Sequence, residues 1–362
     1  MKYLPLLVVL ACGGSQASSV DTPTATPRTP YEVASGDLQA AIAGPHRTED
    51  ERARDRFRKP AETLEHFGVR PDMTVLEIWP GGGWYTKILA PYLRDQGRLI
   101  AANMDPEDDT FRGEFARNYL ALLDSAPELY DRVERRVLWP GKLLDGVPDQ
   151  SVDFALSPRN THNWIRNEGH SAADYFAAVF RVLKPDGTFG VIQHRAPEGT
   201  EHGEDGTIGY LTESVVIRLA EAAGFELAER SELHANEADT HDHPNGVWSL
   251  PPALRGGDEN REHFVAIGES DRMTLTFRRP APRHRVRAPD EARARSTRKR
   301  TPRPSPETYL FLAGGGRRLL EAHPRLRVIH EARQMHPALE RLLALGHHAE
   351  IRDDRRQHAI GE

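Results

Sequence analysis

The chain has 362 residues, 38% of them hydrophobic and 28% charged. That is enough for one large domain with a small appendage, able to bury a core while parts of the chain stay very polar. The net charge of −6 hides an asymmetry: residues 281–362 hold 18 Lys and Arg against 10 Asp and Glu, a net of +8, and the remainder, with 30 against 44, carries −14. The lone cysteine, Cys12, excludes an intramolecular disulfide, a zinc–thiolate site and a cysteine nucleophile in the folded body.

Lys2 gives the N-terminus a positive start, and residues 3–10 form an apolar run too short to span a bilayer as a helix. The run ends in Val9-Leu10-Ala11-Cys12, which resembles the lipobox of bacterial lipoproteins. The resemblance implies export, with residues 1–12 as the signal and acyl chains on Cys12 holding the chain in a membrane of the cell envelope. A plain signal peptide or a misassigned start is the alternative. Residues 13–47 are rich in Ser, Thr, Pro, Ala and Gly, as in TPTATPRTP, and read as a flexible linker.

The folded body is expected over 48–280. Residues 48–67 are helical in pattern, capped by Thr48 or Asp50, broken into two helices by Pro60 and closed by Gly68. Residues 73–79 are β-rich, Pro80-Gly81-Gly82-Gly83 is a turn, 84–93 has apolar residues at helical spacing, and 99–102 is a strand after Gly97. Strand, glycine turn, helix and strand make a βαβ unit and hence a parallel sheet. Helices follow at 112–123, 171–183 and 213–223. Strands follow at 135–138, 151–156, 189–193, 225–228 and 272–278. Seven strands alternating with helices predict an α/β doubly wound, mostly parallel sheet. The Arg- and Pro-rich segment to residue 306 is expected to be disordered, and 309–345 to form one or two loose helices. This basic tail is a solvated or non-native extension, or a basic surface that meets acidic lipid or nucleic acid; for the chain as a whole no nucleic-acid partner is expected.

A parallel sheet binds ligands beyond the carboxyl ends of its strands, where strand order reverses. A turn of three glycines lets a ligand lie against the backbone, and Glu77, ending the strand before it, suits a cationic group and would repel a pyrophosphate. The dinucleotide fingerprint needs glycine at 86, where Thr86 stands, and the P-loop pattern occurs nowhere.

Three segments carry a family resemblance. Val75-Leu76-Glu77-Ile78-Trp79-Pro80-Gly81-Gly82-Gly83 resembles motif I of class I S-adenosylmethionine (SAM) dependent methyltransferases, an acidic residue followed by G-x-G-x-G. Residues 147–154, VPDQSVDF, are similar to the family's P-D-x-S-F-D motif, and 180–187, FRVLKPDG, to its R-V-L-K-P-G-G motif. Order and spacing agree, and the resemblance covers about 230 residues. Arg58-Lys59-Pro60 and the WPGGGWYT block are similar to a group of exported bacterial methyltransferase-like proteins.

The resemblance implies SAM as cofactor and a seven-stranded Rossmann-like fold. Glu77, Gly81, Gly82 and Gly83 would line its methionyl end. Asn103 stands where the family has an acidic ribose ligand, with Asp105 two residues on, and Trp79 stands at the first glycine. After the fourth strand, Asn160 would be a substrate ligand, His162 a base and Trp164 a wall; a polar loop in which His162 packs or caps is the competing reading. His234, Glu237, Asp239, His241, Asp242 and His243 offer metal ligands at no standard spacing and read as a surface polar loop, with no metal assigned. His194, Arg195 and Tyr210 are further pocket candidates. The expected function is methyl transfer to a small-molecule or lipid-linked acceptor. A non-catalytic binding module on the same fold is the alternative, and metal-assisted hydrolysis a weaker third.

Overall fold

The computed structural model describes residues 35–166 and 171–281. The expectations for the signal, Cys12, most of the linker and the basic tail lie outside the described residues. Among the described residues no helix is long and apolar enough to cross a membrane.

The N-terminal part is helical: α1 (Leu38–Ala43), α2 (Glu49–Ala53), α3 (Asp55–Arg58) and α4 (Pro60–His66). Thr48 and Glu51 form a reciprocal capping box on α2. Lys59 turns into the left-handed region (φ 40°), and Pro60 opens α4 at its first position, where a missing N–H costs nothing. Pro60 does divide the segment as expected, but a further break at Arg54 makes three short helices of the two expected. Residues 38–47, read in the sequence as linker, also differ: α1 is capped by Asp37, Ala41 is buried, and the buried Arg47 pairs with Asp55 at 2.6 Å. A short amphipathic segment with two anchors in the body is ordered despite its linker-like composition.

The sheet follows. Its elements are β1 (Thr74–Ile78), α5 (Thr86–Leu93), β2 (Arg98–Asn103), α6 (Phe111–Ser125), α7 (Pro127–Tyr130), β3 (Glu134–Trp139), β4 (Lys142–Leu143) and β5 (Val152–Pro158). Then come α8 (Thr161–Arg166), α9 (Ala172–Val182), β6 (Leu183–His194), α10 (Glu213–Ala222), β7 (Glu226–Ser231), α11 (Arg261–Ile267) and β8 (Arg272–Arg278). Strand order is β4-β3-β2-β1-β5-β6-β8-β7. The strands β3, β2, β1, β5 and β6 run parallel, and β8 inserts antiparallel between β6 and β7. This is the expected doubly wound α/β, Rossmann-like fold, with the order reversing between β1 and β5. The seven expected strands are present, and two-residue β4, folded back on the end of β3, is an eighth. The Lys184–Gly187 turn lies inside the bounds of β6: Val152 pairs with Leu183, Phe154 with Thr188, and the turn loops out between.

Alternation along β1 assigns its faces. Leu76 and Ile78 join one buried layer with Phe176, Val179 and Phe189, under α9 and α10. Val75 joins the other with Ile88, Leu89 and Phe154, under α5. Glu77 shares the side of Val75, which sets its carboxylate against α5. Phe154, fully buried and 5.5 Å from the ring of Phe67, joins the sheet centre to the N-terminal helices. Phe154→Ala is expected to lower the free energy of unfolding by about 3–5 kcal/mol in chemical denaturation, with an unchanged m-value. A loss under about 1 kcal/mol would show that α4 does not close the core there.

Candidate functional site at the switch point

Backbone geometry makes the corner after β1. Trp79 has φ 46°, Gly81 59° and Gly83 78°, so three of the five residues between β1 and Trp84 are left-handed. Only glycine adopts that region freely, and the two glycines meet that demand. A β-carbon on Gly81 or Gly82 would meet nothing within 4 Å, whereas on Gly83 it would come 2.6 Å from Leu122. The first two glycines therefore expose bare backbone to open space, and the third is needed for close packing of the helix.

Below this corner Glu77 is fully buried. Its Oε2 accepts from the Thr86 hydroxyl at 2.6 Å, and the same hydroxyl lies 3.0 Å from the Tyr119 hydroxyl. Oε1 has no partner. Burial, only partly offset by the Thr86 bonds, pushes the carboxyl up to about 7. Trp79, at the position of the family's first glycine, sends its indole toward the end of β3. Its Nε1 donates to the Leu138 carbonyl at 2.8 Å, and the ring lies 5.6 Å from Trp139 and 5.7 Å from Tyr175. That side of the corner is filled by the core, while the glycine side stays open.

At the end of β2, Asn103 is buried. Its side-chain oxygen accepts from the Met104 N–H at 2.9 Å and its Nδ2 has no partner. Asp105 is committed to the protein: it accepts from the Glu107 N–H and pairs with Lys142 of β4 at 2.7 Å. The pairing of Asp105 with Lys142 was not foreseeable, since β4 is too short to leave a periodic signal.

The segment after β5 is a helix, α8, where a loop was expected. Asn160 Nδ2 donates to the carbonyls of Ile78 at 2.9 Å and Trp79 at 3.4 Å, so it pins α8 to the end of β1. His162 is buried, with Nδ1 3.3 Å from the Gln193 side chain, and burial takes it down to about 4. It is neutral at pH 7 and able to accept a proton only weakly. Trp164 is fully buried and stacks on Tyr175. The side-chain hydroxyls of Ser157 and Thr161 and the Trp164 indole nitrogen are buried without partners. With Glu77 and Asn103, that makes five unpaired buried polar groups, three at the carboxyl ends of β1, β2 and β5, where a ligand is expected, and two on α8 just beyond.

The 234–243 segment is in part the expected surface loop, with Glu237 and Asp242 exposed, but His234, Asp239 and His243 are buried and bonded inside the protein. His234 lies 2.7 Å from Thr274 and 3.0 Å from Thr63. Tyr210 donates to Asp239 at 2.9 Å, and His243 Nε2 is 2.9 Å from the same carboxylate. Arg195 pairs with Asp271, Glu213 and Glu232. His194 Nδ1 is 2.5 Å from the Ser270 hydroxyl. Among the described residues no group of three or more His, Cys, Asp or Glu is arranged to hold a metal ion.

The buried carboxylate has a consequence for pH dependence. With a folded value near 7 against about 4.5 unfolded, the folded state holds the extra proton, so stability falls as pH rises between these values and is flat above. Glu77→Gln is expected to remove that decline, making the variant more stable than the parent by roughly 3 kcal/mol above pH 7 and equal to it below pH 4. Denaturation curves of both proteins from pH 4 to 8 check this; parallel profiles would mean that folding does not shift the Glu77 carboxyl.

A scan against protein-family models finds no match, and a search of curated proteins finds none. Among solved structures, the chain is similar to a SAM-dependent methyltransferase from Aquifex aeolicus. That pair is 17% identical with a TM-score of 0.43, over 63% of this chain and 93% of the other. It is similar to geranyl diphosphate methyltransferase in complex with SAM, at 15% identity and a TM-score of 0.42, over 68% and 96%. An arsenic(III) S-adenosylmethionine methyltransferase from Chlamydomonas reinhardtii is 17% identical with a TM-score of 0.38, over 68% and 74%.

Proposed function

We propose that the protein is a SAM-dependent methyltransferase whose acceptor binds over the ends of β1 and β5. The observation that carries this reading is the unpaired, fully buried Glu77 Oε1 below a corner whose Gly81 and Gly82 open onto empty space. A carboxylate with a free lone pair in a dry site suits an ammonium group, such as the amino group of a methionyl moiety, whose arrival would return Glu77 to its ionised form. Bare glycine backbone lets the chain of that moiety lie close, and the unpaired Asn103 amide can donate to a ribose hydroxyl.

When bound, SAM supplies a methyl group already activated by its sulfonium. The residues of this chain then have little bond-making to do. Asn160 holds α8 against the end of β1, which fixes the acceptor's position relative to the corner. Trp164 and Tyr175 keep the floor dry. Of this chain's residues at the end of β5, neutral His162 would be the one to receive a proton shed by a hydroxyl or amine acceptor, as a weak base. A binding module that keeps the fold for another ligand is the second reading, favoured by the Trp79 indole filling the β3 side of the corner. The lipid anchor at Cys12 in the cell envelope is proposed with the first reading, from the sequence of residues 1–12 alone.

Calorimetry on the full chain is expected to show SAM and its demethylated product binding at micromolar levels. Gly82 has room for a β-carbon and no left-handed backbone, so Gly82→Leu is expected to fold normally while weakening both ligands at least about tenfold. No heat with the wild-type chain refutes the enzymatic reading. Unchanged affinity in the folded variant moves the cofactor away from the glycine corner.

A further inference from the structure

Four arginines gather around one carboxylate beside the glycine corner. Glu269, 3% exposed, accepts from Arg54 Nε at 2.7 Å and Arg58 Nε at 3.3 Å, and forms an ion pair with Arg272 Nη1 at 3.2 Å. Arg272 uses its other donors on the carbonyls of Ser270 and Phe57. Arg54 and Arg58 do not: Nη2 of each is buried without a partner, and Arg58 as a whole is 5% exposed. Arg159, directly after β5, is held in the left-handed region (φ 62°) with its N–H on the Ile192 carbonyl. Its guanidinium has no hydrogen bond or ion pair among the described residues.

Arg159 belongs to the same cluster. Its charge repels that of Arg58 and attracts that of Glu269. Burial and that repulsion bring Arg58 down to about 9, still protonated at neutral pH. Four guanidinium groups against one carboxylate leave three positive charges unmatched in a largely buried place. The protein could relieve such repulsion with one more acid, and has not done so. A non-glycine residue in a strained backbone, an unmatched charge and unpaired donors occur together where a ligand completes the set. The cluster adjoins the corner: the Arg58 guanidinium lies 4.7 Å from the Trp84 ring, Trp84 follows Gly83, and Arg159 precedes Asn160.

We propose that Arg54, Arg58 and Arg159, held in place with Arg272 by Glu269, form an oxyanion subsite that takes a phosphate or carboxylate group of the methyl acceptor. Guanidinium forks match the geometry of such groups. Assigning the anion to the acceptor rests on the methyltransferase reading; the anion site itself does not.

Inorganic phosphate, titrated into the full chain against chloride at constant ionic strength, is expected to raise Tm saturably. Arg159 is partly exposed and unbonded, so Arg159→Gln is expected to keep or raise the unliganded Tm while weakening phosphate about tenfold or more. Arg159→Lys should recover part of the affinity. No saturable phosphate effect in the wild-type chain, or equal affinity in Arg159→Gln, overturns the subsite. With saturating SAM present, retained phosphate binding supports the acceptor assignment. One-for-one displacement by SAM overturns it, because the cofactor's own carboxylate would then take the place. Arg159-dependent phosphate binding in a chain that does not bind SAM keeps the subsite and removes the methyltransferase reading and the acceptor with it.

Discussion

A carboxylate buried at the end of a central parallel strand sets the terms for everything around it. Glu77 lies between β2 and β5, out of reach of water, with one oxygen on Thr86 of α5. That single bond ties the first strand to the first turn of the helix that follows it. To reach that helix the chain must reverse within a few residues, and it does so through left-handed backbone at Trp79, Gly81 and Gly83. The bare glycine surface, the inward indole and the open space above accompany that reversal over a buried carboxyl with one oxygen unpaired.

Trp79 shows how such a corner tolerates a departure from the glycine pattern. A left-handed tryptophan costs backbone energy, on the order of 1–2 kcal/mol. Its ring recovers more by burial against Trp139, Trp164 and Tyr175 and by its bond to the Leu138 carbonyl. The Asn160 amide then holds the carbonyls of Ile78 and Trp79 from the β5 side. The corner is thus braced by two residues that a sequence comparison would assign to ligand contact.

Most of the sheet was legible because its strands and helices carry clean periodicity: β1, β2, β5, β8, α5, α9 and α10 all lie within a few residues of their expected bounds. What escaped has physical causes. β4 is two residues long, and α8 has too few turns to show a repeat. The 234–243 segment is polar throughout, so its burial depends on partners at Thr63, Tyr210 and Thr274 that no local pattern announces. Residues 38–47 looked like linker because one buried alanine and one paired arginine suffice to order them. The arginine cluster escaped entirely, because positions 54, 58, 159 and 272 share no segment and meet only through the fold.

The ion pair between Arg54 and Glu269 joins residues 215 apart, and Arg272 reaches the Phe57 carbonyl over the same interval. During synthesis Arg54 and Arg58 therefore emerge long before the carboxylate that pairs with both. Until the segment leading into β8 is made, Arg54 and Arg58 lack their counter-charge. The last strand made thus closes on the first helices, a contact that forms only when nearly the whole domain has left the ribosome.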